Sequence, residues 1–218
     1  MSEVIILHAT PIFTKNEFNT LMQLVTPEKQ ERINRFHFYN DECNTLLGDV
    51  LARVEICRLT GLSNKHQEFS VNAYGKPILL SNPRIHFNIS HSGNYVVCAI
   101  GDKPLGIDIE VIKPIDLKIA NRFFSADEIE YIFNSQDDFM TNRFYEIWTK
   151  KECRIKWEGK GLSIPLPSFS VLNAEEANVI SYHMVFNNDE AICHLCSCNN
   201  DVPKIKIIDN SILINCIT

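Results

Sequence analysis

The chain has 218 residues, 45% of them hydrophobic and 22% charged, with a formal net charge of −6 at pH 7. This is the composition of a folded protein with a sizeable core, arranged as one large domain or two small ones. The negative balance argues against nucleic-acid binding, which needs a broad basic footprint, but leaves room for a small basic pocket around a compact phosphate ligand.

Met1-Ser2-Glu3-Val4 has neither the basic flank nor the long apolar stretch of an export signal, and no run approaches the length of a membrane helix. The eight cysteines, Cys43, Cys57, Cys98, Cys153, Cys193, Cys196, Cys198 and Cys216, sit mostly among apolar neighbours. Together these features read as a cytoplasmic protein with reduced thiols and no membrane partner. The first strong helical pattern starts near Asn40 or Asp41, either of which can cap it. Leu46, Leu47, Val50, Leu51, Val54 and Cys57 then mark one apolar face, and Gly61 supplies the stop. Strand-like runs follow at 69–71, 85–89 and 95–100, and Ser92-Gly93-Asn94 is the hairpin turn between the last two.

A further strand, Leu105-Gly106-Ile107-Asp108-Ile109-Glu110, opens the second half. Ser125 and Glu128 form a capping box ahead of another helix. The spacing of apolar residues predicts a longer helix over roughly Thr141 to Glu158, closed by Gly159, and several short strands run on from there. Within them, Cys193-His194-Leu195-Cys196-Ser197-Cys198 contains a Cys-x-x-Cys spacing that could hold zinc. No second such pair exists, so a cysteine-rich strand is the simpler reading.

An internal repeat organises these elements. Gly61-Leu62-Ser63 recurs as Gly161-Leu162-Ser163, and Phe69-Ser70-Val71 recurs at the same spacing as Phe169-Ser170-Val171. Upstream, Asn34-Arg35-Phe36 recurs as Asn121-Arg122-Phe123. Helix followed by antiparallel strands, twice over, implies an α+β fold of two similar halves, residues 1–104 and 105–218, each with a small, mostly antiparallel sheet and a long helix. One chain then supplies both walls of a cleft, which favours a monomer.

Several side chains carry chemical potential. Alternation along the second-half strand puts Asp108 and Glu110 on one face and Ile107 and Ile109 on the other. This is what any amphipathic strand looks like, and it is also half of a site for a hard cation. On the long helix, Phe144, Trp148 and Ile155 place Glu152 on the inward face, where a bare carboxylate needs a partner or a metal. Lys156, one turn on, forms either an ordinary surface pair with Glu152 or part of the same site. Tyr74-Gly75-Lys76-Pro77 and Ser90-His91-Ser92-Gly93 read either as turn chemistry or, through Lys76, Ser90 and His91, as phosphate contacts.

Taken in order, Gly75-Lys76-Pro77, Phe87-Asn88-Ile89-Ser90-His91-Ser92, Gly106-Ile107-Asp108-Ile109-Glu110, Arg122-Phe123-Phe124-Ser125, Trp148-Thr149-Lys150-Lys151-Glu152 with Lys156, and Gly159-Lys160-Gly161-Leu162-Ser163 make a pattern along most of the chain. It resembles the 4′-phosphopantetheinyl transferases of the surfactin-synthetase-activating type. The resemblance implies that the halves are related by a pseudo-twofold axis. It implies transfer of the phosphopantetheine arm of coenzyme A to a serine of an apo acyl or peptidyl carrier protein, with Mg²⁺ and with release of adenosine 3′,5′-bisphosphate. It makes Asp108, Glu110 and Glu152 the Mg²⁺ ligands and Lys156 the pyrophosphate contact, with Glu152 also the candidate acceptor of the serine proton, directly or through a water. Lys76, Ser90 and His91, joined by Lys29, Arg32 and Thr45, become the nucleotide and 3′-phosphate pocket. Asn44 departs from the pattern, since the family often has an arginine there. Lys113, Ile115, Lys118, Arg122, Phe123 and Phe124 supply a basic and apolar strip for a carrier's acidic helix, or else an ordinary amphipathic loop and helix. Two other readings stand beside this one: a relative that binds without turnover, and a different Mg²⁺-dependent phosphotransferase, although no Walker-type glycine loop is present.

Overall fold

The computed structural model describes residues 2–8, 14–172, 179–186, 189–198 and 202–209. Strand β1 (Ser2–His8) is followed by α1 (Lys15–Met22), α2 (Pro27–Ile33), α3 (Tyr39–Thr60), β2 (Phe69–Val71), β3 (Pro77–Leu79), β4 (His86–Ser92) and β5 (Tyr95–Gly101). Then come β6 (Leu105–Val111), α4 (Ala120–Phe123), α5 (Ala126–Phe133), α6 (Asp137–Glu158), β7 (Val179–Phe186), β8 (Asp189–Ser197) and β9 (Lys204–Asp209). Among the described residues no helix is long and apolar enough to cross a membrane.

The two long helices repeat one design. Each spans 22 residues and ends on a left-handed glycine, Gly61 at φ 71° and Gly159 at φ 67°. That backbone conformation carries no Cβ penalty only in glycine. α3 starts at Tyr39, with no side-chain cap from Asn40 or Asp41, and α6 starts at Asp137, earlier than the apolar spacing predicts. The Ser125–Glu128 capping box opens α5 as expected.

The strands form a sheet of order β4-β5-β1-β9, a sheet of order β6-β8-β7, and the small β2-β3 pair. Alternation explains the layering. Ile5, Leu7, Val96, Cys98 and Ile100 face α3, where Leu46, Leu47, Val50 and Leu51 meet them. Val4, Ile6, Val97 and Ala99 face the other way, onto Leu105, Ile107, Ile109, Cys193 and Leu195 of the second sheet. α6 covers that sheet's outer face, against β6 and β8. The result is helix, sheet, sheet, helix, with two like halves back to back. β9 crosses between them: it pairs in parallel with β1, and Lys206 Nζ lies 3.2 Å from Glu3 Oε2.

The repeat does not extend to every element. Phe69-Ser70-Val71 is strand β2, whereas the matching residues 169–171 form no strand. Phe169 instead lies under the Lys151 ammonium, and the Val171 amide donates to Glu128. The cysteine-rich segment is β8. Cys193 and Leu195 point into the core between the sheets, and His194 and Cys196 point toward α6. Residues three apart on a strand lie on opposite faces, so Cys193 and Cys196 cannot share an ion. The described cysteines are all free thiols, and Cys216 lies outside the described residues.

Candidate active site at the seam between the halves

β4 and β6 are the facing edges of the two sheets, and side chains of β4 take the place of a backbone ladder between them. Asn88 Oδ1 accepts the Ile107 N–H at 2.8 Å, Ser90 Oγ accepts that of Ile109 at 3.5 Å, and Ser92 Oγ accepts that of Val111 at 3.1 Å. Both serine hydroxyls pass their own proton on to a β6 carboxylate. Ser90 donates to Asp108 Oδ1 at 2.8 Å and Ser92 to Glu110 Oε2 at 2.7 Å. This lacing joins the halves and sets the two carboxylates on the side of β6 that faces α6.

α6 brings the other groups. Its backbone runs hard against β6 at Gly106, where any Cβ would meet the Cys153 carbonyl oxygen at 2.1 Å. At that distance Lys156 Nζ reaches Asp108 Oδ1 at 2.6 Å and Ser90 Oγ at 3.0 Å. Burial alone would lower the Lys156 pKa, but Asp108, with Glu152 behind it, outweighs this and holds it above the usual lysine value. Glu152 is pushed above the usual carboxylate range by burial and by the Asp108 charge, against the pull of Lys156. Glu110 is raised by burial and by Asp108, against the Ser92 hydrogen bond and the Lys156 charge. Asp108, Glu110, Glu152 and Lys156 thus share one electrostatic neighbourhood.

Among the described residues no three carboxylate, imidazole or thiol groups are already gathered as a metal site, and the Lys156 ammonium rests on Asp108 instead. The donor set nevertheless suits a hard divalent cation. Asp108 Oδ2 is buried without a partner. Two neighbouring carboxyls with raised pKa values would both be relieved by added positive charge.

The other expected residues divide. His91 stands at the rim of β4. Desolvation of its ring and the Lys156 ammonium push its pKa below the usual imidazole range; Lys29 adds to this and Asp41 opposes it. Both lysines thus act on this ring. Lys29 Nζ also lies 3.2 Å from Asp49 Oδ2, one turn along α3 from half-buried Thr45, and Arg32 is exposed on α2. Lys76 donates to the carbonyls of Leu105, at 2.9 Å, and of Lys156, at 2.6 Å. It ties the end of α6 to β6, and burial brings its pKa down to about 8. Ser90 has one proton to donate and two lone pairs, and all are used within the seam. Asn44 is buried and donates to the Gly93 carbonyl at 3.0 Å, so it holds the β4–β5 turn on α3. A hollow of about 250 Å³ runs between Tyr74–Pro77 and the end of α6, walled by Asn88, Glu152 and Lys156. A larger one, about 520 Å³, lies by Tyr131, Arg143 and His194, away from the carboxylates.

Sequence patterns alone gave no role to Lys151, the neighbour of Glu152. It is fully buried: its Nζ lies 2.7 Å from Glu128 Oε2 and donates to the carbonyls of Leu166 and Phe169. Burial lowers its pKa, against the pull of Glu128. The pair anchors α6 to α5 and to the 166–171 loop. Lys151→Met leaves Glu128 buried without its counter-ion and is expected to cost about 3 kcal/mol in urea unfolding. The double variant Glu128→Gln, Lys151→Met should recover much of this. A single variant as stable as the parent would show that the pair does not anchor the helix.

The chain is similar to known proteins along most of its length. A family model described as the 4′-phosphopantetheinyl transferase superfamily matches residues 104–207, and one described as 4′-phosphopantetheinyl transferase, N-terminal, matches residues 12–102. The chain is 46% identical over 166 residues to the 4′-phosphopantetheinyl transferase Sfp of Bacillus subtilis (strain 168), covering 76% of this chain and 74% of that one. It is 38% identical over 180 residues to the 4′-phosphopantetheinyl transferase gsp of Aneurinibacillus migulanus, covering 83% and 75%. It is 28% identical over 196 residues to the human L-aminoadipate-semialdehyde dehydrogenase-phosphopantetheinyl transferase, covering 81% and 63%.

Proposed function

Because the chain belongs to the 4′-phosphopantetheinyl transferase superfamily, we infer a mechanism in which the seam between its halves moves the phosphopantetheine arm of coenzyme A onto a serine of an apo carrier protein. The observation that carries the assignment of residues is the meeting of Asp108 and Lys156 at 2.6 Å, with Glu152 coupled to both. These residues come from a strand and a helix far apart in sequence.

The serine oxygen attacks the β-phosphorus of coenzyme A. An O–P bond forms to the serine, the bond to the bridging pyrophosphate oxygen breaks, and adenosine 3′,5′-bisphosphate leaves. Charge builds on the leaving oxygens, so positioning and electrostatics dominate, as in other phosphoryl transfers. Asp108, Glu110 and Glu152 would hold a divalent cation such as Mg²⁺, which neutralises pyrophosphate charge. Lys156 exchanges its bond to Asp108 for one to the pyrophosphate, whose negative charge keeps the ammonium protonated as Asp108 does in the free chain. Glu152 accepts the serine proton, directly or through a water. His91 and Lys29, with Arg32 and Thr45 on the adjoining helices, form the basic rim that receives the nucleotide phosphates. Lys76 acts there by holding the end of α6 in place.

The carrier docks beside the seam. Lys113, Lys118 and Arg122 are exposed, and so is Ile119, at 40%. Phe124 does not take part: it is buried against Phe144 and Trp148. A basic patch with one apolar contact suits the acidic helix of a carrier domain from fatty acid, polyketide or nonribosomal peptide synthesis. The enzyme acts as a cytoplasmic monomer, since one chain supplies both walls of the site. A mass-shift assay with coenzyme A, Mg²⁺ and a panel of apo carriers tests the reading: a gain of one phosphopantetheine is expected on at least one carrier, and no gain on any would refute it. In the same assay, Lys118→Glu with Arg122→Glu should raise the KM for carrier about tenfold with little change in kcat. An unchanged KM would remove this face from the docking surface.

A further inference from the structure

Glu110 lies on β6 beyond Asp108 as seen from Gly106, and a side chain of another element, Ser92 of β4, holds it. Ser92 Oγ donates to its Oε2 at 2.7 Å, while the same hydroxyl accepts the Val111 N–H at 3.1 Å. A glutamate has several rotatable bonds, so order imposed before a cation arrives does not have to come out of its binding free energy. Ser90 stands in the same relation to Asp108, but its hydroxyl also takes Lys156 and therefore serves several functions at once.

We propose that Ser92 is a positioning residue for the transfer reaction: anchored on the backbone of β6, its hydroxyl fixes the Glu110 carboxylate on the α6 side of that strand as a preset ligand for the divalent cation. The proposal rests on the reading of Asp108, Glu110 and Glu152 as the cation-binding set. It gives a physical purpose to the second serine of Ser90-His91-Ser92, whose hydroxyl is taken up by Glu110 and the Val111 N–H.

The test uses the full chain saturated with coenzyme A, without carrier, and Mn²⁺ as the probe, titrated calorimetrically. Ser92→Ala should bind Mn²⁺ about tenfold more weakly than the parent. Its coenzyme A affinity in the absence of metal should stay within about twofold, as expected for a partner that acts only through a ligand. Ser92→Thr, which restores the hydroxyl, should bind Mn²⁺ like the parent. Ser92→Ala binding Mn²⁺ as the parent does would overturn the proposal, and so would Ser92→Thr binding as weakly as Ser92→Ala. If the parent itself takes up no Mn²⁺, the cation reading fails, and the role of Ser92 fails with it.

Discussion

Asp108→Ala should lower carrier modification at least about a thousandfold while leaving the fold intact. Asp108 is the point at which the site converges. Its Oδ1 receives Ser90 at 2.8 Å and Lys156 at 2.6 Å, and its Oδ2 is buried with no partner. Such an atom is costly in the folded chain unless something positive arrives to meet it. Removing the carboxylate takes away the central donor for a cation and frees Lys156 from the orientation it needs for pyrophosphate. It also removes the like charge that helps raise Glu110 and Glu152. The losses therefore fall on catalysis, and the thermal midpoint should move by only a few degrees in either direction. Asp108→Asn separates charge from shape: it keeps the volume and one acceptor, and it should be nearly as inactive as the alanine variant. The measurement is the initial rate of carrier mass shift with Mg²⁺ and coenzyme A in excess. A rate within tenfold of the parent for either variant would take Asp108 out of the cation set.

Much of this site could be read before any coordinates, for a definite reason. Alternation on a strand and the 3.6-residue period of a helix are local rules, so Asp108, Glu110 and Glu152 could be assigned faces from spacing alone. The two glycine stops were equally plain, because Gly61 and Gly159 have a positive φ. What spacing could not reveal is which groups meet across the seam. Lys76 looks like a phosphate ligand in a turn, yet it is committed to two carbonyls of the other half. Phe124 looks like part of a docking strip, yet it completes an aromatic cluster under α6. Asn44 serves a hairpin carbonyl. The apolar run Val4–Leu7 lacks any neighbour in sequence, yet β1 lies between β5 and β9 in the first sheet. Each of these is a long-range pairing, and no window of local sequence encodes its partner.

Gly106→Ala is expected to be the most disruptive single methyl in the molecule. An added Cβ would lie 2.1 Å from the Cys153 carbonyl oxygen, 2.3 Å from the Trp157 nitrogen and 2.9 Å from the Lys156 carbonyl carbon. All three are backbone atoms of α6, so no rotamer change relieves the clash; either the helix or the strand must move. β6 is held on its other sides, by β8 through Gly106 opposite Cys196 and by the Asn88 bond to Ile107. α6 must therefore lift away, which would draw Glu152 and Lys156 back from Asp108. Overpacking of this kind costs about 3 kcal/mol, and a displacement near 1 Å at reacting groups costs about a hundredfold in rate. Both losses should appear together, as a lower urea midpoint and a lower kcat. Glu110, farther along β6, should keep its hydrogen bond to Ser92 of β4. If Gly106→Ala unfolded at the parent's urea concentration and turned over at the parent's rate, then the close approach of α6 to β6 would not be what assembles the site. A glycine in the middle of a strand often marks such an approach, and here it sets the distance at which Lys156 and Glu152 reach Asp108.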